Sequence, residues 1–216
     1  MIYFKFSHKN RCKTKPSLVS GFTLAELLIS IAIIGLFTVT ATTFQKDIFA
    51  LNTVLQGNLN AQLDARHLVK VIVTELRKAG PSALGAYPVA IASSTGITFY
   101  SDVTNDGVRD KVRYFVSGNT VRRGVISPTG SPFTYVDANE KLTTIISGFV
   151  SSSTAPLFQY FTSSYAGTSS AMTIPIDIPS LRLVKVTVII DKDPIRAPSI
   201  IVVTSQVSLR NLKDNL

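Results

Sequence analysis

The chain has 216 residues, 45% of them apolar and only 16% charged, with a mean hydropathy of +0.29. That balance excludes a disordered chain and is apolar for a protein living wholly in water. A single cysteine, Cys12, excludes an internal disulfide framework and any multi-cysteine zinc site, and two histidines, His8 and His67, leave little for a catalytic metal.

The formal charge of +9 is unevenly spread. Residues 1–21 hold Lys5, Lys9, Arg11, Lys13 and Lys15 and no acid, so about half of the excess lies on a short arm. Residues 22–44 follow as an apolar run with one charge, Glu26. As a helix this run covers roughly 35 Å, against about 30 Å for the core of a bilayer. It is longer than the apolar stretch of an ordinary cleaved signal peptide. A basic arm stays on the cytoplasmic side, so the expected arrangement is a single crossing, N-terminus in, with the remaining mass outside the cytoplasm. Glu26 is costly there, on the order of 3 kcal/mol on insertion scales. Thr23 and Glu26 have the spacing of a capping box, which gives the carboxylate a local reason to exist.

These residues carry a resemblance. A basic leader ending in Gly21, then Phe22, Thr23, Leu24, Glu26 and a long apolar helix, resembles the class III signal of type IV pilins and type II secretion pseudopilins. The resemblance implies that a prepilin peptidase cuts between Gly21 and Phe22 and methylates the new amino group of Phe22. Thr23, Leu24 and Glu26 would then serve recognition and assembly. It also implies a role for Glu26 opposite the free amine of a neighbour's Phe22, since a paired carboxylate is tolerated in low dielectric and an unpaired one is not.

Beyond the span, Ile48, Leu51, Leu55, Leu59, Leu63, Val69, Ile72 and Leu76 recur in steps that mark one amphipathic helix, ended by Gly80-Pro81. Gly35 and Gly57 are positions where it is expected to bend or loosen. The outer half needs a sheet to cover its stripe. From Ile97 the period becomes two. Strands are expected at 97–102, 111–117 and 121–126, with turns at 104–107 and 118–119. Residues 127–180 read as irregular, broken by a strand at 157–161. Two more strands follow, 183–190 and one whose inward face is Ile201, Val203, Val207 and Leu209, joined through 191–199 with its two prolines. The expected fold is α+β: a leader (1–21), a membrane-spanning or filament-core helix (22–44), its amphipathic second half (45–80), and an antiparallel sheet domain of five or six strands (81–216). Helix, short connection and sheet are also similar to that family. The run from Ile97 to Arg123 and the ending Val207–Leu212 most resemble the J-type minor pseudopilins and related minor pilins.

Asp102, Thr104, Asp106, Gly107 and Asp110 are spaced like an EF-type calcium loop, but Arg113 stands where the bidentate acid belongs, and a polar hairpin turn explains the same residues. Arg109, Lys111, Arg113, Arg122 and Arg123 lie close together on the meander; alternation puts Lys111 and Arg113 on one face and Arg122 and Arg123 on opposite ones, and they read as solvated, with no aromatic interleaving to suggest nucleic acid. His67, alone on the helix beside Arg66, reads as a solvated or half-buried side chain. No nucleophile elbow, phosphate-cradling loop or zinc motif is found, so the expectation is a non-enzyme with no cofactor. The resemblance implies these partners: prepilin peptidase, other pilin or pseudopilin subunits, the inner-membrane assembly platform and the membrane itself. The alternatives are a pilus-tip adhesin or DNA-uptake minor pilin, and a signal-anchored protein with no filament role.

Overall fold

The computed structural model describes residues 21–150, 155–191 and 200–209. The predicted basic leader, apart from Gly21, and nearly all of the 191–199 connection lie outside them. The chain divides into two compact units, Met1–Leu51 and Asn52–Leu216. Helix α1, Leu24–Arg77, passes through Gly35 and Gly57 with no break in its helical assignment, so neither expected weak point interrupts it.

In the first unit no described residue is buried. The apolar run also contains Ser and Thr, whose hydroxyls would be costly in hydrocarbon. They turn back on their own helix: Ser30 Oγ donates to the Glu26 carbonyl at 2.7 Å, Thr38 Oγ1 to Ile34 at 2.8 Å and Thr42 Oγ1 to Val39 at 2.9 Å. These bonds leave a surface that is apolar almost throughout.

In the second unit the strands run β1 (Val89–Ala92), β2 (Gly96–Ser101), β3 (Asp110–Ser117), β4 (Thr120–Ile126), β5 (Lys141–Ser147), β6 (Phe158–Phe161), β7 (Leu183–Asp191) and β8 (Ile200–Ser208). They form two antiparallel sheets, a five-stranded meander β1-β2-β3-β4-β5 and a three-stranded sheet β6-β7-β8. The expectation of five or six strands is therefore corrected to eight strands in two sheets among the described residues. The strands not foreseen are β1 and β5. β1 has only four residues, and β5 buries one side chain, Ile146, so neither writes an alternating pattern into the sequence.

The core lies between these sheets and the end of the helix. Ala61, Ala65, Leu68, Ile72 and Leu76 share it with Phe99, Val112 and Tyr114 of the meander and with Val184, Val186, Val188 and Val207 of the smaller sheet. Leu68, Ile72 and Leu76 are fully buried, which stabilises this packing by about 2 kcal/mol each. The alternation expected in β7 is found, since Val184, Val186, Val188 and Ile190 all face inward. The expected helical stripe holds at Val69, Ile72 and Leu76 and is corrected before them. Ile48, Leu51, Leu55, Leu59 and Leu63 are exposed, and burial starts only at Ala61. Repeated steps of four explain this, because each overshoots a full turn by about 40° and winds the row away from the core face.

Candidate functional site

The helix opens where the sequence signal predicts. Thr23 precedes the first helical residue, Leu24. Its backbone N–H and its hydroxyl both donate to Glu26 Oε2 at 2.9 Å, while the Glu26 N–H donates to Thr23 Oγ1 at 3.3 Å. This reciprocal pair satisfies two groups that a helix start otherwise leaves open. The carboxylate is thus held by its own helix, at the end where the helix dipole favours negative charge. Gly21 and Phe22 lie just before the helix in extended or irregular backbone, and Phe22 is 84% exposed. A Cβ built at Gly21 would meet nothing within 4 Å. Leu24 is exposed too.

The acidic loop is brought together in part. Asp102 accepts from the N–H groups of Asp106 and Gly107 at 3.2 and 3.1 Å, and Asp106 accepts from Val108 at 2.9 Å. Asp110 is fully buried, and its Oδ2 accepts from the N–H groups of Val103 and Thr104 and from the Thr104 hydroxyl. Positive φ at Asn105 (57°) and Gly107 (85°) gives the turn its shape and explains the Asn-Asp-Gly run. Each of the three carboxylates is therefore engaged by loop donors, and no cluster of three metal-ligating acids, histidines or cysteines occurs among the described residues.

The expected split of the meander's basic residues is found, but their reading as solvated is corrected, because Lys111, Arg113 and Arg123 are each engaged by an acid. Lys111 pairs with Asp137 at 3.0 Å. Arg113 makes a two-pronged bond to Glu140, at 3.0 and 2.7 Å, with its guanidinium over the Phe115 ring. Gly124 on the adjacent strand leaves the space that the Glu140 carboxylate fills, and any side chain there would collide with it. Arg123 points the other way, into the helix. His67 is exposed, as expected.

Sequence reasoning missed the polar group that ties helix to sheet. Arg123 Nη2 donates to Glu75 Oε1 at 2.6 Å, Arg123 Nε to Glu75 Oε2 at 3.2 Å, and the Tyr114 hydroxyl to the same Oε2 at 2.7 Å. The Ser101 hydroxyl adds a bond to the Glu75 carbonyl at 3.0 Å. Burial, reinforced by the Glu75 charge, pushes the Tyr114 hydroxyl far above its ordinary range. Burial works against the charge of Arg123, but the hydrogen bond and charge of Glu75 outweigh it and hold the guanidinium pKa above its usual value. In the sequence Glu75 is an acid beside an apolar helical row and Arg123 a base on a strand, and nothing local pairs the two.

No protein-family model matches this chain, and no curated protein matches it either. The architecture stands on its geometry: a long apolar helix at the N-terminal end followed by antiparallel sheet is pilin-like. By length and composition the helix is able to cross a membrane.

Proposed function

We propose that this chain is a structural subunit, a minor pilin or pseudopilin, of a type II secretion pseudopilus or type IV pilus. In this reading it enters the inner membrane with its N-terminus in the cytoplasm. Prepilin peptidase removes residues 1–21 and methylates Phe22, and the subunit joins a filament through its N-terminal helix while the sheet domain stays outside the cytoplasm. One observation carries the reading: an exposed Gly21–Phe22 junction lies directly against a helix whose start is capped by Thr23 and Glu26 and whose first turns carry no other charge. A capped start at that place gives the processing enzyme a non-helical substrate backbone next to a fixed helix. It also leaves the new amine of Phe22 within a few residues of the carboxylate that the resemblance assigns to docking.

The test is the mature N-terminus. Mass spectrometry of membrane or sheared filament material should give a chain beginning at Phe22 and heavier than its sequence by one methyl group. An intact leader would reject the reading and leave a signal-anchored protein, and a terminus after Ala41, which removes nearly all of the apolar run, would reject it in favour of an ordinary cleaved signal.

A further inference from the structure

We propose that the cleft between α1 and the open edge of β8 takes an extended acidic segment of another protein as an added strand. The part of α1 in the second unit has two flanks beside its buried ridge. One carries Glu75, engaged by Arg123 and Tyr114. On the other, beyond Val69 and Val73 and toward the solvent side of the helix, are Arg66, Lys70 and Arg77, which at roughly 100° per residue fall within about 40° of one another. All three are exposed, and none has an ion-pair partner among the described residues.

These cations line a cleft whose far wall is Val203, Thr204 and Ser205 of β8, with no carboxylate among its lining residues. Its volume, about 440 Å³, is in the range of clefts that hold ligands. β8 is the outer strand of its sheet. In β7 the odd-numbered residues turn toward β6, since Thr187 N–H donates to Leu157 and Asp191 N–H to Gly148. The even-numbered residues of β7 therefore bond β8, and the register pairs Val186 with Ser205 and Val188 with Val203. Alternation then turns the N–H and C=O groups of Val202, Thr204 and Gln206 away from the sheet. Among the described residues no strand takes them up.

An open strand edge asks for a strand, and three unpaired cations along the opposite wall ask for carboxylates. The lengths agree. From Arg66 to Arg77 the helix rises about 16 Å, the reach of a five-residue strand. Exposed Ile200 and Val202 supply apolar contact at one end of the edge. Main-chain bonds would give register, and the cations would select Asp or Glu at alternate positions. Nucleic acid would use the charges but leave the strand edge idle, so the extended peptide is the occupant that uses both walls.

The test uses the full chain in non-ionic micelles and a fluorescein-labelled peptide alternating Val with Glu, read by anisotropy. Saturable binding is expected. It should weaken by roughly tenfold or more with Gln in place of Glu, and by a similar factor when alternate peptide nitrogens are methylated, a change that leaves the protein untouched. The triple variant Arg66→Ala, Lys70→Ala, Arg77→Ala should match the loss seen with Gln, while Lys141→Ala on β5 should bind as wild type. Absence of saturable binding overturns the proposal. So does equal binding of the N-methylated peptide, which would reduce the cleft to a charged patch. An oligo-dT strand that binds more tightly and displaces the peptide would overturn it in favour of nucleic acid.

Discussion

Replacing Glu75 with Ala removes the one acceptor shared by Arg123 and Tyr114. The guanidinium then stays against the helix with no counter-charge, and the Tyr114 hydroxyl keeps a donor without an acceptor. Removing one partner of a fully buried ion pair costs about 3–5 kcal/mol. The side chains of Glu75 and Arg123 are 13% and 21% exposed, so some water reaches them and the lower end applies. The stranded hydroxyl is part of the same loss, and the expected total is about 3 kcal/mol. For a domain of this size that is a fall in Tm of about 6–12 °C. The measurement is urea unfolding of the full chain in micelles. It is followed by tyrosine fluorescence, because the chain has seven Tyr and no Trp. A double-mutant cycle with Arg123→Ala separates the pair from simple loss of packing, and a coupling of about 2 kcal/mol is expected. A loss below about 1 kcal/mol, or equal effects of Glu75→Ala with and without Arg123, would refute the reasoning.

Tyr114 and Tyr160 are both raised in pKa by burial, so the folded state holds their protons at a pH where the unfolded chain, titrating near 10, has released them. Stability is then complete below pH 10 and falls above it, by about 1.4 kcal/mol per pH unit for each of the two; alkaline titration at 295 nm in which every tyrosine of the folded protein ionises together near pH 10 would contradict this. Glu26→Leu should leave cleavage at Gly21 largely intact and reduce incorporation into sheared filaments in competition with a wild-type copy, whereas equal incorporation would leave Glu26 as the cap seen in the structure. Calcium should leave the melting temperature unchanged, since Asp102, Asp106 and Asp110 already accept loop donors; a bound site at 100-fold excess over Kd would add about 2.7 kcal/mol, and such a rise, lost in Asp106→Ala, would show a real site.

What the sequence made legible follows the strength of its periodicities. The apolar run, the Thr23–Glu26 cap and the strands around Val112 and Val186 write their structure locally, in steps of about 3.6 or of two. β5 does not, because only Ile146 of its seven residues is buried and the strand is held by its ladder to β4. The leucine row from Leu51 to Leu63 misled for a geometric reason: spacing of four looks amphipathic over two turns and drifts off the face over four. The acidic loop was legible as a turn through Asn105 and Gly107. The Glu75–Arg123–Tyr114 group was not, since its partners are separated by 48 and 39 positions along the chain, and only the packed sheet brings them together.

That group also bears on how the sheet domain answers mechanical force. A pull on the helix from its N-terminal side acts along the axis and tends to slide α1 past the strands. The buried ridge of Leu68, Ile72 and Leu76 resists sliding only through shape, because apolar contacts have no preferred direction. The two-pronged bond from Arg123 and the bond from Tyr114 do have direction, and both must break before the helix advances one turn. They grip Glu75, near the end of the helix farthest from the pull, so the ridge cannot slip by a full turn until this clasp opens. Glu75→Ala should therefore lower the force at which the helix is drawn out of the sheet domain by more than its equilibrium loss alone suggests.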